Sequence, residues 1–467
     1  ASAAIAFVNP WGWRALWEPF DYVLRHASEP IMLGVTELQP VDFANNLRDL
    51  LPLILAGWIV LFVWRTRRVG LDLAELLVAG GFLVLALLVW RTRRAGLDLA
   101  ELVVVVFFLA LALRTQRFLG FAMVALAPYL ARDLDAWVGS RRWPPWTRPA
   151  WARAALAAAA CLLLGIPEWS RAELPLGVGI EDRQYPIAAC DWIAAHGVRG
   201  RAFNQFFNGG YLLWRFWPER DRLPFMDIHQ TGTTEDRYAY AFALRDPAAW
   251  RDLDARHRFD WVLLRREPYQ DDHLLEYLDA DSSFTLVFLD DAAALWVRRS
   301  GTMAALADTF AYRLLPAGGE KLGAVIARMN ADTSVANGLV RELEREASGS
   351  PWHAIAESRL GSLALARGDL AGARAHLERA LVSNPSQPRA HERLGLVALA
   401  RGRGAEALAE FRAETRIGPL PDADFRIGQA YQTMGDRARA RDAYRRALAA
   451  DPGNTAAAES LEAVAGR

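Results

Sequence analysis

Six polar residues stand at or near the ends of short apolar runs in the middle of the chain: Asn204, Asn208, Asp227, His229, Arg237 and Tyr238. Carboxylate, amide and aromatic groups together suit a sugar or a polar headgroup, because hydroxyls need paired donors and acceptors and a sugar ring needs an apolar face. A plainer reading stands beside this one: Asp227 caps a turn, Gly209-Gly210 is a simple turn and His229 is a surface histidine. One Asp and one His, without a second carboxylate or a Cys partner, do not make a metal site. The chain also carries no nucleophile elbow, no phosphate-binding Gly-rich loop and no H-E-x-x-H motif, so no metal or cofactor is expected.

A second basic feature lies further towards the N-terminus. Arg114 and Arg117 form a tight turn between two apolar runs. Two guanidinium groups there suit the phosphate of a lipid or of a polyprenyl carrier. The alternative is that both side chains simply snorkel to a headgroup layer.

The elements that must position these groups divide the chain by hydropathy. Up to about Ser170, apolar runs alternate with Arg clusters, and the remainder reads as soluble protein. Leu50–Trp64, Leu71–Trp90, the pair Leu97–Leu113 with Phe118–Leu130, and Ala154–Ile166 are predicted membrane spans. Several are shorter than the roughly 20 apolar residues that a spanning helix needs. Arg141, Arg142 and Arg148 mark a cytoplasmic loop by the positive-inside rule, which places everything after Ile166 outside the membrane. The chain does not begin with Met and opens on what reads as the tail of an apolar helix, so a fragment is expected. Val63–Leu76 and Val89–Leu102 are near-identical copies 26 residues apart. Both flanks of the segment between them carry R-T-R-R, which a single crossing cannot place on one side, so that segment is expected to lie in the interface or re-enter.

Composition adds little about partners. The formal net charge is +0, which gives no reason to expect nucleic-acid binding. Lys321 is the only lysine among basic residues that are otherwise arginine, and the two cysteines, Cys161 and Cys190, are not expected to pair.

From about Gln184 to Arg299, short helical and strand-like runs alternate, which predicts a small α/β domain. Helices are expected at Ala188–Ala195, Tyr211–Trp217, Arg237–Leu244 and Ala248–Ala255. Strands are expected at Arg201–Phe206, Leu223–Ile228 and Trp261–Arg265, with a closing hairpin at Phe284–Leu289 and Ala293–Val297. The order of an Asn9-Pro10-Trp11-Gly12 loop, a stretch with Val35, Glu37 and Pro40, a hairpin around Arg114 to Phe118, then Gly209-Gly210-Tyr211-Leu212 with Trp214 and Met226-Asp227 resembles a bacterial group. These are multispanning membrane proteins related to the GT-C glycosyltransferases, which use polyprenyl-phosphate sugars; some carry C-terminal tetratricopeptide repeats. The resemblance runs from Asn9 to about Arg299, with Leu38 standing where a Trp is usual. It implies a catalytic carboxylate in a first outer loop, and no residue here matches it. No catalytic residue is carried over, and the chain alone is expected to be inactive.

The C-terminal region is periodic. Leu360-Gly361, Leu394-Gly395 and Ile427-Gly428 open successive units, and the glycines stand 34 and 33 residues apart. Ala373, Ala407 and Ala440 follow, each 12 residues after its glycine, then Leu377, Phe411 and Tyr444, and Pro385, Pro419 and Pro452 close the units. That is the tetratricopeptide period. Gly and Ala let the two helices of a hairpin approach closely, the large apolar residue fills the gap, and Pro ends the second helix.

The reading is thus a mixed fold: an α-helical transmembrane bundle, a small extracytoplasmic α/β domain and a C-terminal all-α solenoid of tetratricopeptide repeats. Its boundaries are an outer loop at 1–49, membrane helices at 50–168, the α/β domain at 169–300, a helical linker or degenerate repeat at 301–352, and three repeats with a capping helix at 353–467. The expected function is protein–protein interaction at the bacterial inner membrane, with a lipid bilayer and a protein or peptide as partners. The alternative is a polyprenyl-phosphate-sugar-dependent glycosyltransferase whose catalytic loop lies upstream.

Overall fold

A computed structural model of the chain describes residues 56–57, 60, 99–141, 144–147, 149–169, 182–227, 233–267 and 272–465. The chain divides into two compact units, residues 1–179 and 180–467.

In the first unit, α1 (Leu99–Arg114) packs against α2 (Leu119–Gly139) across a one-turn 3-10 helix, and α3 (Ala150–Trp169) follows. The transmembrane bundle expected from hydropathy is not found: among the described residues, no helix is long and apolar enough to cross a membrane. The sequence shows why. With 16 residues, α1 spans about 24 Å, short of a hydrocarbon core of about 30 Å. Pro128 interrupts α2, and Arg132, Asp133 and Asp135 charge its second half. Eight of the 20 residues of α3 are alanine, which buries little apolar area, and the helix also carries Arg153 and Glu168. The expected spans 50–64 and 71–90 lie outside the described residues apart from 56, 57 and 60, as do the N-terminal loop and most of the duplicated stretch.

The second unit begins with α4 (Ile187–Ala195), β1 (Ala202–Asn204), α5 (Gly209–Phe216), α6 (Thr234–Ala243) and α7 (Pro247–His257). Then come β2 (Trp261–Arg265), α8 (Leu274–Ala280), β3 (Phe284–Leu289), β4 (Ala293–Arg298) and α9 (Ala304–Phe310). The sheet order is β1-β2-β4-β3. β1 runs parallel to β2, and the other two pairings are antiparallel. Nearly every strand residue is buried, as a sheet covered on both faces requires. Trp261, Leu263, Leu295 and Val297 pack with Ile193 of α4, Leu212 of α5 and Ala307 of α9. Elsewhere Phe203 sits among Tyr240, Trp250 and Phe259, with ring centroids 5.1–5.4 Å away.

Residues 223–227 were expected to lie in a strand but are not in the sheet. The side chain of Asn204 captures them instead: its Oδ1 accepts from the backbone of Phe225 at 2.8 Å, and its Nδ2 donates to the carbonyl of Met226 at 2.7 Å. Helix α8 has no counterpart in the sequence reading.

After the sheet, α10 (Glu320–Ala331) and α11 (Thr333–Gly349) pack as a hairpin. The repeats follow as α12 (Ala354–Ala366) with α13 (Leu370–Ser383), α14 (Ala390–Ala400) with α15 (Gly404–Ile417), and α16 (Ala423–Thr433) with α17 (Arg437–Ala450). The helix α18 (Thr455–Ala465) ends the stack. Within each hairpin the glycine is a matter of space. A Cβ on Gly361 would meet Leu377 at 2.7 Å, one on Gly395 would meet Phe411 at 2.4 Å, and one on Gly428 would meet Tyr444 at 2.5 Å. Ala373, Ala407 and Ala440 are fully buried at the same crossings. Each first helix ends on a glycine with positive φ: Gly368 at 78°, Gly402 at 71° and Gly435 at 78°, the left-handed stop that a residue with a Cβ resists.

Candidate functional site

Three of the six residues singled out in the middle of the chain come together at the end of β1. Asn204 is fully buried, and its amide bonds the backbone of Gln205, Phe225 and Met226. Those bonds occupy both donors of the amide and its carbonyl oxygen. Asn208 is also buried, with no hydrogen-bond partner for its Nδ2. Gly209 brings the backbone against Asp227, whose Cα lies 2.6 Å from where a Cβ would stand. This cluster closes the domain where the chain leaves β1. Arg237 and Tyr238 lie on α6, where Arg237 Nη2 donates to Thr234 Oγ1 at 3.0 Å and Tyr238 stacks at an angle on Phe242. His229 lies outside the described residues. At the other basic feature, Arg114 is the exposed last residue of α1 and Arg117 falls in the 3-10 turn after it.

The repeat array offers a larger and more regular surface. First helices of successive units approach each other directly, α12 with α14 and α14 with α16, and no comparable approach joins the second helices. The stack therefore curves with its first helices on the inner side. A polar clasp crosses each hairpin at the same register. Glu357 holds His376 at 2.7 Å and Arg379 at 2.9 Å, His391 meets Glu410 at 2.6 Å, and Asp424 meets Arg446 at 2.8 Å. Charge order reverses in the second unit, so the clasp depends on complementarity and not on one residue type.

One arginine recurs two residues before each glycine: Arg359, Arg393 and Arg426. Arg393 Nη1 donates to Ser358 Oγ at 2.6 Å, which ties the second unit to the first. Arg426 Nη1 donates to Gln429 Oε1 at 3.2 Å. Buried Arg359 Nη1 and Arg426 Nε have no acceptor. Burial lowers the pKa of Arg359 to about 10, with Arg266 adding to the effect.

Sequence reasoning missed the junction between the sheet and the repeats. Glu346 of α11 is completely buried, and Arg266, which follows β2, lies 3.8 Å from it. Burial raises the Glu346 carboxyl, while the charges of Arg266 and Arg359 oppose that shift. At the β3–β4 turn, burial pushes Asp290 up to about 6, although the backbone N–H groups of Ala292 and Ala293 both donate to its Oδ1. These residues sit far apart in the chain, and nothing in their local sequence marks them as buried.

Comparison with known proteins bears on the C-terminal region alone. Residues 358–420 and residues 425–454 match models of the tetratricopeptide repeat. The repeats are therefore tetratricopeptide repeats, a class that serves protein–protein interaction. No curated protein matches the chain. Among solved structures, the N-terminal domain of stress-induced protein-1 from C. elegans is 21% identical and covers 24% of this chain and 93% of its own, with a TM-score of 0.22.

Proposed function

We propose that this protein binds an extended segment of another protein along the first helices of its repeats. The observation that carries this reading is the inward stacking of α12, α14 and α16, the geometry from which repeat solenoids make elongated binding faces. In this reading the sheet domain caps the first repeat, through Asp291 at the start of α12.

Selection of a displayed random-peptide library on the full chain tests this. Enriched peptides should bind the parent chain and lose about tenfold or more in affinity to a Leu396→Arg, Gln429→Arg variant. Leu396 packs against the core around Ala407 and Phe411 and Gln429 accepts from Arg426, so binding is compared at a temperature at which circular dichroism shows the variant folded. Failure to enrich any peptide, or equal binding to the variant, would remove the reading.

A further inference from the structure

In the sheet domain and the repeats, some arginine side chains find a carboxylate: Arg199 with Asp221, Arg298 with Asp254, Arg374 with Glu406. Arg299, Arg313, Lys321 and Arg328 behave differently. Among the described residues none of the four forms an ion pair, and all four line one cavity of about 470 Å³. The cavity opens beside the edge strand β3, between α8, α10 and the segment 312–316. Tyr312 donates its backbone N–H to Leu286 at 2.9 Å, so that segment covers part of the sheet edge.

The lining has two layers. Phe284, Leu286, Trp296 and Val325 are buried and make an apolar floor, whereas the four cationic side chains are exposed at the rim. Two carboxylates also line the cavity, and each accepts from the backbone. Asp279 accepts from Ala317 and Gly318 at 3.2 and 2.7 Å, and Asp281 accepts from Ser283 at 2.8 Å. Thr285, another lining residue, carries a buried hydroxyl with no partner. Lys321 donates to the backbone carbonyl of Asp279, which fixes the amine at the rim.

We propose that this cavity binds a small amphiphilic organic anion, its carboxylate or phosphate head held by the rim cations and its apolar body lying on the floor. The volume falls within the roughly 300–1,000 Å³ of small-molecule sites, which combine apolar walls with a few convergent polar groups. Unpaired cations concentrated over apolar surface select for the charged head, and the floor selects for the tail. This site is separate from the peptide face, and neither reading depends on the other.

Because Lys321 is the only lysine of the chain, acylation of its amine by an activated ester reports on the rim at one side-chain position. The full chain is titrated calorimetrically with dodecanoate, dodecyl phosphate, dodecanol and inorganic phosphate, and Lys321 acylation is followed by mass spectrometry. At least one of the two anionic amphiphiles should bind one to one and slow acylation about fivefold or more, with dodecanol and inorganic phosphate each binding about tenfold or more weakly. Whichever head binds more tightly identifies the preferred group. The exposed pair Arg313→Glu, Arg328→Glu should weaken the preferred amphiphile by about tenfold with the unfolding midpoint retained. Protection of Lys321 in the unaltered chain reads the site even if that variant fails to fold. Dodecanol binding as well as the anions, undiminished binding by a folded variant, or absence of binding and protection would each overturn the proposal.

Discussion

The carboxylate of Asp291, at the turn between β3 and β4, accepts the backbone N–H of Ala354 at 2.6 Å and that of Ile355 at 2.9 Å. Those donors belong to the first turn of α12, where helical N–H groups have no partner within the helix. His353, the residue in the capping position, supplies no side-chain bond. In the other direction, the backbone N–H of Asp291 donates to the carbonyl of Trp352 at 3.1 Å. The sheet domain thus supplies the cap that starts the repeat array.

Removing that cap should be measurable. Asp291→Ala is expected to lower stability by about 1–2 kcal/mol, and Asp291→Asn should recover only part of it, because the amide oxygen can accept one of the two bonds while its NH2 group faces the other donor. Urea unfolding of the full chain reads both. A midpoint unchanged in the alanine variant would show that the contact does not couple the two parts.

Glu346 and Arg266 make a second link, of a different kind. Both are buried at 3.8 Å, and neither Glu346 oxygen has a hydrogen-bond partner. Burying two charges at that separation recovers only part of the desolvation cost, whereas removing one strands the other. Glu346→Leu should therefore cost about 3–5 kcal/mol, and Arg266→Met with Glu346→Leu together should recover much of the loss. A double-mutant cycle measures the coupling. Additive losses would mean that the two charges do not sense each other.

Asp290 gives stability a pH dependence of known sign. Its folded carboxyl is raised to about 6 by burial, so between the ordinary carboxylate range and pH 6 the native chain holds a proton that the unfolded chain has released. Stability then falls as pH rises across that window and levels off above it. Asp290 is 1% exposed, so the contribution is on the order of 2–3 kcal/mol. Asp290→Asn should flatten this part of the profile while its Oδ1 still accepts from Ala292 and Ala293. Denaturation midpoints at several values between pH 4 and pH 7 test the change in slope. An identical slope in the variant would exclude Asp290 as its source.

How legible these features were depended on how local their causes are. Gly361, Ala373 and Leu377 meet within one hairpin, so a period along the chain suffices to find them. Trp261–Arg265 was readable as a strand because its apolar run is bounded by polar residues and buried throughout. By contrast, Leu223–Ile228 looks like a strand until the distant Asn204 takes its hydrogen bonds. Arg266, Glu346 and Asp290 carry charges that ordinarily mark surface positions, and only the docking of separate segments buries them. The apolar runs before Ser170 misled in another way. There Pro128 and the charges of α2, and the alanine content of α3, count for more than the length of the run. The rim cations around the β3 cavity lie on separate segments, and sequence alone gives no sign that they lack partners.

The three repeats also disagree at one cap, and the disagreement predicts a stabilising substitution. Asp369 accepts from Gly372 at 2.9 Å and Asp436 from Arg439 at 3.0 Å, each capping the second helix of its hairpin. The equivalent residue in the middle unit is Arg403, with no capping bond and similar backbone angles: φ −97°, ψ 68°, against −78°, 81° and −82°, 81°. A guanidinium there also places positive charge at the positive end of the helix dipole. Its bond to Glu406 at 3.3 Å is largely exposed, and such pairs contribute about 0–1 kcal/mol. Arg403→Asp exchanges that pair for a cap and a favourable dipole interaction, against some repulsion from Glu406 three residues on. The balance should favour the variant by about 0.5–1 kcal/mol, read as a raised urea midpoint with an unchanged slope. A lowered midpoint would mean that Arg403 serves the middle unit through Glu406 and not merely in place of a missing cap.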